Sequence, residues 1–195
     1  MPVFERGEHW ASRPVRSSVS APSSSSSTGL RNRALLIVLW RSGLRISEAL
    51  DLKPSDVNYT GGTVRVLRGK GRKARTVGLD AGGLAVLQRW HDRRRELGLR
   101  GGYLLCTLAG GRLNDRYVRI LLARLAAHAG SDKRVTPHQL RHTCAVELVN
   151  EGVPVNVISA WLGHASSGVT SRYLDHIQPA QVVEVAKRRA WAEPA

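Results

Sequence analysis

The segment HQLRHT, His138 to Thr143, crowds His138, Arg141 and His142 into one short run. Thr136 and Pro137 precede it, and Gln139 lies three residues past Thr136. That is a capping-box pattern with proline in the first turn, so a helix opens here. At about 100° per residue, Leu140, Cys144, Ala145, Leu148 and Val149 form its buried arc, with Arg141 inside that arc. Gln139, Thr143, Glu147 and Asn150 face the other way. A guanidinium leaves water only for a carboxylate, for carbonyls or for a bound anion. Three chemistries fit. The first is a structural arginine paired with a core acid, beside an incidental histidine. The second is zinc, because His138 and His142 lie four residues apart on one face. Against it, Gln139 and Leu140 stand where a zincin motif carries its glutamate, and Arg141 brings positive charge beside the cation. The third is an oxyanion site, since a helix N-terminus, an arginine fork and a histidine donor all suit phosphate. The helix alone leaves all three open.

Other segments bring similar chemistry. In SGLRISEAL, Arg45 follows a glycine-containing turn and precedes a helix, with Glu48 three residues on and able to hold it. In WLGHASSGVTSRYLDH, His164 follows the helix-stopping Gly163, and Tyr173 comes nine residues later. RGKGRK sets Lys70 and Lys73 in a glycine-rich basic turn.

These side chains need elements to hold them. NRALLIVLWRSG is an apolar helix closed by Gly43. ISEALDL starts a second helix, with Ser47 as its N-cap, and KPSD ends it. GGTVRVL and ARTVGL are β-branched stretches flanking RGKGRK, the pattern of a hairpin with a basic tip. Asp80 caps a helix through LAVLQRWHDRRREL that closes at Gly98, and its HDRRREL run reads as a solvated face. Asn114 or Asp115 caps NDRYVRILLARLAAHAG. The remainder reads as short helices at 137–151, about 154–162, about 167–175 and about 179–190. The predicted fold is mainly α (α+β), with one small antiparallel hairpin or sheet. Residues 1 to about 28, containing RSSVSAPSSSSST, read as a disordered Ser-rich tail or linker, and 29–190 as the folded domain.

Composition narrows the partner. Thirty Lys and Arg against fifteen Asp and Glu give 195 residues a net charge of +15, which favours a polyanion, either nucleic acid or an anionic membrane. No apolar run approaches the ~20 residues of a membrane span, and no signal peptide is visible. Cys106 and Cys144 sit in apolar surroundings without a CxxC pair and read as reduced core residues of a cytoplasmic protein.

Taken together, GLRISEAL, GKGRK in a hairpin, HQLRH, LGH and a tyrosine nine residues beyond it resemble the tyrosine recombinase (phage integrase) family, in the family's order, over about residues 30 to 190. The resemblance implies the helical catalytic domain of DNA breaking–rejoining enzymes. Arg45 and Arg141 would grip the scissile phosphate, and His138 and His164 would be the site's two histidines. Lys70, between the two glycines of the hairpin tip, would be the mobile catalytic lysine. Tyr173 would be the nucleophile, with Glu48 in support. The implied activity is site-specific recombination of double-stranded DNA through a 3′-phosphotyrosine, without metal, cofactor or ATP. The C-terminal helix at about 179–190 would dock on a neighbouring protomer in a dimer or tetramer on DNA, or else pack on its own domain. Family members carry an N-terminal helical clamp, and here the Ser-rich stretch stands in its place. Weaker DNA affinity with intact chemistry is the expectation.

Physical chemistry agrees with those roles. Two guanidiniums and histidine N–H donors can stabilise the charge that builds on the non-bridging oxygens without a metal. A phenol of pKa ~10 needs a base, here His138, and the leaving 5′-oxygen needs a proton, here from Lys70. Tyr59, Tyr103 and Tyr117 lack an upstream LGH and read as packing residues. Trp161 reads as a core aromatic, and His142 and His176 as structural. The competing readings are a type IB topoisomerase, a non-catalytic DNA-binding relative and a metallohydrolase.

Overall fold

Four apolar positions of the first helix, Ala34, Leu35, Val38 and Leu39, repeat at helical spacing and are fully buried, so this helix forms the centre of the domain. The computed structural model describes residues 26–67, 74–100 and 102–163. Within them, α1 (Ser27–Trp40) is followed by α2 (Ile46–Asp51) and a 3-10 turn (Pro54–Asp56). Strands β1 (Val57–Asn58), β2 (Thr63–Val66) and β3 (Arg75–Gly78) come next, then α3 (Ala81–Glu96), α4 (Asp115–His128), α5 (Pro137–Asn150) and α6 (Val155–Leu162). The fold is mainly helical with a three-stranded antiparallel sheet, ordered β1-β2-β3, as the residue pattern predicts. The short β1, paired through Val57 and Val64, is an addition to the expected hairpin.

Local signals set most boundaries. Asp80 accepts the Gly83 N–H at 2.8 Å, and Asn114 accepts the Tyr117 N–H at 2.7 Å. At α5 both arms of the capping box form: Thr136 Oγ1 accepts from Gln139 N, and Gln139 Oε1 accepts from Thr136 N at 2.8 Å. Gln139, at the place of the zincin glutamate, is therefore spent on the helix start. Two boundaries differ from expectation. Helix α1 starts at Ser27 rather than Asn32, because the Ser26 hydroxyl accepts the Gly29 N–H at 3.0 Å. Arg45, rather than Ser47, is the N-cap of α2; the Arg45 N–H finds its acceptor in Glu48 Oε2 at 2.8 Å, leaving Ser47 inside the helix.

The main core packs α1 against α3 and the inner face of the sheet, with Leu87, Trp90, Val64, Val66 and Val77 buried and Trp90 Nε1 donating to Leu104 O at 2.8 Å. A second, smaller cluster joins α5 and α6 through Cys144, Ala145, Leu148, Ile158 and Leu162. Trp161 packs on both clusters, and its indole N–H donates to Ser42 O at 3.1 Å. Its ring lies so close to Gly78 that a Cβ there would stand 2.8 Å from Cη2. The joint between the two clusters is thus where β3, α1 and α6 meet.

Two expectations about exposure are corrected. Glu147 does not face away from the protein; it accepts from Trp40 Nε1 at 3.1 Å and Arg41 Nη1 at 2.9 Å, because α5 packs on α1. Arg94 leaves the solvated face assigned to HDRRREL and is buried, donating from Nε to Tyr103 O at 3.2 Å. No helix among the described residues is long and apolar enough to cross a membrane. The helices expected at about 167–175 and 179–190 lie outside the described residues.

Candidate active site

Helix α6 ends at Gly163 in the left-handed conformation (φ 64°, ψ 51°), and a helix end leaves its last carbonyls without partners inside the helix. Three arginines from three other elements take up those carbonyls. Arg75 Nε on β3 donates to Trp161 O at 2.8 Å. Arg141 Nη2 on α5 donates to Leu162 O, and Arg45 Nη2 at the start of α2 donates to Gly163 O at 3.2 Å. Arg141 also donates from Nη1 to Gly43 O at 2.7 Å, so carbonyls are among the partners it takes. A backbone carbonyl can aim at Arg141 because Gly43 adopts φ +61°, and a Cβ at Gly43 would lie 2.9 Å from Leu162 Cδ2 and 3.0 Å from Cys144 Sγ.

Glu48 organises the charges. Its Oε1 accepts from Arg45 Nη1 at 2.9 Å and Arg75 Nη1 at 2.8 Å; its Oε2 accepts from Arg75 Nη2 at 2.7 Å and the Arg45 backbone N–H at 2.8 Å. Burial alone would push this carboxyl up. The hydrogen bonds from Arg75 and from the Arg45 backbone, with the charge of Arg75 and the Arg45 side-chain hydrogen bond, outweigh burial and hold it below the usual carboxylate range. Among the described residues, three guanidiniums against one carboxylate leave an excess of positive charge at the end of α6. The arginine of α2 keeps 31% of its side chain exposed. Such a cluster suits an oxyanion.

His138 is exposed one turn ahead of Arg141 on the same helix. Lys70, His164 and Tyr173 lie outside the described residues, as does His176. In sequence, His164 directly follows the glycine whose carbonyl Arg45 holds. The structure therefore brings together Arg45, Arg141 and Glu48 of the expected set. It adds one residue missed in the sequence, Arg75. The sequence alone does not flag it: only once β3 pairs with β2 does Arg75 share the inward face with Val77, opposite Val66, where an arginine needs partners.

Tyrosines read as packing residues have structural duties. Burial, and then the charge of Asp92, push the Tyr59 phenol up to about 12. The Tyr117 hydroxyl donates to Asn32 Oδ1 at 2.8 Å and accepts from Arg31 Nη2. Tyr103 packs against the main core. Both cysteines are free and buried, and burial, followed by the charge of Glu147, pushes the Cys144 thiol up to about 12. His142 is half-buried beside Arg141, and among the described residues no cluster of three or more His, Cys, Asp or Glu is placed to hold a metal.

The model of the phage integrase family matches residues 15–178. The chain belongs to the phage integrase family. It is 35% identical over 167 residues to tyrosine recombinase XerC of Pelobacter propionicus, a match covering 86% of this chain and 54% of the relative. It is 38% identical over 170 residues to tyrosine recombinase XerD of Mycobacterium leprae, covering 84% and 52%. The chain thus spans about half the length of the curated relatives it matches. Among solved structures, XerA recombinase aligns with a TM-score of 0.73 at 30% identity, over 85% of this integrase-family chain and 61% of XerA. XerH site-specific recombinase bound to difH substrate in a pre-cleavage complex aligns at 0.71 and 28% identity, over 87% and 49%.

Proposed function

We propose that this chain is the catalytic domain of a site-specific DNA recombinase that breaks and rejoins double-stranded DNA through a 3′-phosphotyrosine. The observation that carries the reading is the meeting of Arg45 and Arg141 at the end of α6, with Glu48 holding one of them, in a chain of the phage integrase family. Similarity to XerC and XerD, and a fold shared with XerH bound to its difH substrate, support the same substrate class.

In this reaction the Tyr173 phenolic oxygen attacks the scissile phosphorus, forming the O–P bond as the bond to the 5′-oxygen breaks. The phenolic proton goes to His138, and Lys70 protonates the leaving 5′-oxygen. Arg45 and Arg141, with an N–H of His164, hold the non-bridging oxygens while negative charge builds on them. Such preorganised donors are worth about 2.7–4 kcal/mol each in comparable sites. The bond energy stays in the phosphotyrosine, so a new 5′-hydroxyl can reseal the strand without ATP. The chain acts on DNA as a dimer or tetramer through its C-terminal helix at about 179–190, and the Ser-rich stretch ahead of α1 serves as a tail or linker.

A nicked suicide duplex, which loses a short fragment on cleavage and so cannot reseal, tests the reading. The expected result is a protein–DNA adduct that survives denaturation and is absent from Tyr173→Phe, which still binds DNA. A wild-type protein that binds the duplex yet forms no adduct would instead be a non-catalytic relative. Cleavage that leaves no adduct and is abolished by chelators would point to a metallohydrolase.

A further inference from the structure

We infer that Arg75 is a positioning residue for this reaction, acting through Glu48 on Arg45; the inference rests on the recombinase reading above. Arg75 starts β3, immediately past the hairpin tip, and only 10% of its side chain is exposed. It is not placed to touch DNA over any broad surface. Its guanidinium instead links three elements: Nη1 and Nη2 fork onto the two oxygens of Glu48 on α2, and Nε holds Trp161 O on α6.

The effect on Arg45 follows from counting acceptors. A carboxylate offers about four lone-pair sites. Around Glu48 they are filled by four donors, two from Arg75, one from the Arg45 backbone and one from Arg45 Nη1. With the fork in place, Glu48 takes a single guanidinium N–H from Arg45. Without it, a buried carboxylate with two empty sites would draw the Arg45 guanidinium into a bidentate pair and away from the phosphate. Arg75 thereby keeps Arg45 loosely held and facing outward. It also fixes the α6 end from which the chain runs into His164. Gly163 accommodates the arrangement, since a Cβ there would lie 2.9 Å from Arg75 Cδ.

The test is a double-mutant cycle on the suicide duplex. Single-turnover adduct formation, DNA affinity and thermal midpoint are measured for Arg75→Ala, Arg75→Lys, Arg45→Lys and the two doubles. Action through Arg45 requires that losing Arg75 slow adduct formation about tenfold or more in the wild-type background and less than about twofold beside Arg45→Lys. DNA affinity should stay unchanged. Lysine at position 75 should not restore the rate, because it has no fork to saturate both oxygens. Equal factors in the two backgrounds would overturn the inference, as would a rate loss matched by a loss of DNA affinity. If Arg75→Ala fails to fold, Arg75→Lys is read in its place. If neither folds, Arg75 is a residue of the fold alone, and the inference fails. A wild type that forms no adduct would instead sink the recombinase reading itself, which separates the two failures.

Discussion

Arg141 and Arg45 donate to consecutive carbonyls, those of Leu162 and Gly163. Two arginines 96 positions apart are thus set side by side by one helix end, which fixes their spacing without using up either fork on a carboxylate alone. The partial negative charge of a helix C-terminus favours cations there, so assembly of the cluster is part of folding the domain.

Arg141→Ala leaves Gly43 O and Leu162 O without their guanidinium in a buried setting. Orphaned buried carbonyls cost about 1–3 kcal/mol each. The melting midpoint should therefore fall by roughly 5–15 °C in a domain of this size. Calorimetry on Arg141→Ala and Arg141→Lys checks it, and lysine, with a single ammonium for two carbonyls, should recover only part of the loss.

Gly163→Ala should cost more than Gly152→Ala, although both glycines have positive φ. Left-handed strain contributes about 1–2 kcal/mol at either position. A Cβ at Gly152 meets nothing within 4 Å, whereas at Gly163 it meets Arg75 Cδ, Nε and Cζ. Crowding of this kind adds about 1–3 kcal/mol. Urea midpoints of the two variants, measured side by side, isolate the Arg75 contact.

How much of this was legible in the sequence follows the range of each interaction. The α5 start was readable because Thr136, Pro137 and Gln139 are neighbours, and so were the Asp80 cap and the turn at Gly43. Arg45 and Arg141 were readable from short motifs. Arg75 was not, because its need for partners shows only once β3 is paired with β2 so that Arg75 faces Val66. Glu147 was assigned to the wrong side because its partner Arg41 lies 106 positions away, and no periodicity within α5 encodes it. Arg94 was misplaced for the same kind of reason: a loop carbonyl, Tyr103 O, supplies the acceptor that burial requires.

Acid should weaken the domain partly through Glu48. Its folded pKa lies below the ordinary value, so its contribution is complete above the unfolded pKa of ~4.3 and is lost as pH falls through the folded value. Glu48→Gln should cost about 3 kcal/mol at pH 7, since it strips a buried charge partner from Arg75 and Arg45. The gap between the two proteins should stay level from pH 7 to about pH 5 and narrow as urea titrations move below the unfolded pKa of ~4.3. Asp80 is also held low, first by its hydrogen bond from Arg41, but it is 45% exposed and contributes less through solvent screening. A gap that stays constant with pH would contradict the role given to Glu48.

Cys144 should resist alkylation in the native state. Burial holds its thiol at about 12, leaving a negligible thiolate fraction at pH 7.5, and Cys106 is fully buried as well. Labelling with a maleimide should therefore follow global unfolding across a denaturant series. Rapid labelling of Cys144 in the folded protein would show that the α5–α6 cluster opens, and rapid labelling of Cys106 that the main core does.

The most direct measurement is peptide mapping of the adduct formed on a suicide duplex. Digestion with protease and nuclease, followed by mass spectrometry, should find the residual nucleotide on the peptide containing Tyr173 and on no other. A nucleotide carried instead by Tyr59, Tyr103 or Tyr117 would contradict a site built at the end of α6, and so would the absence of any modified peptide.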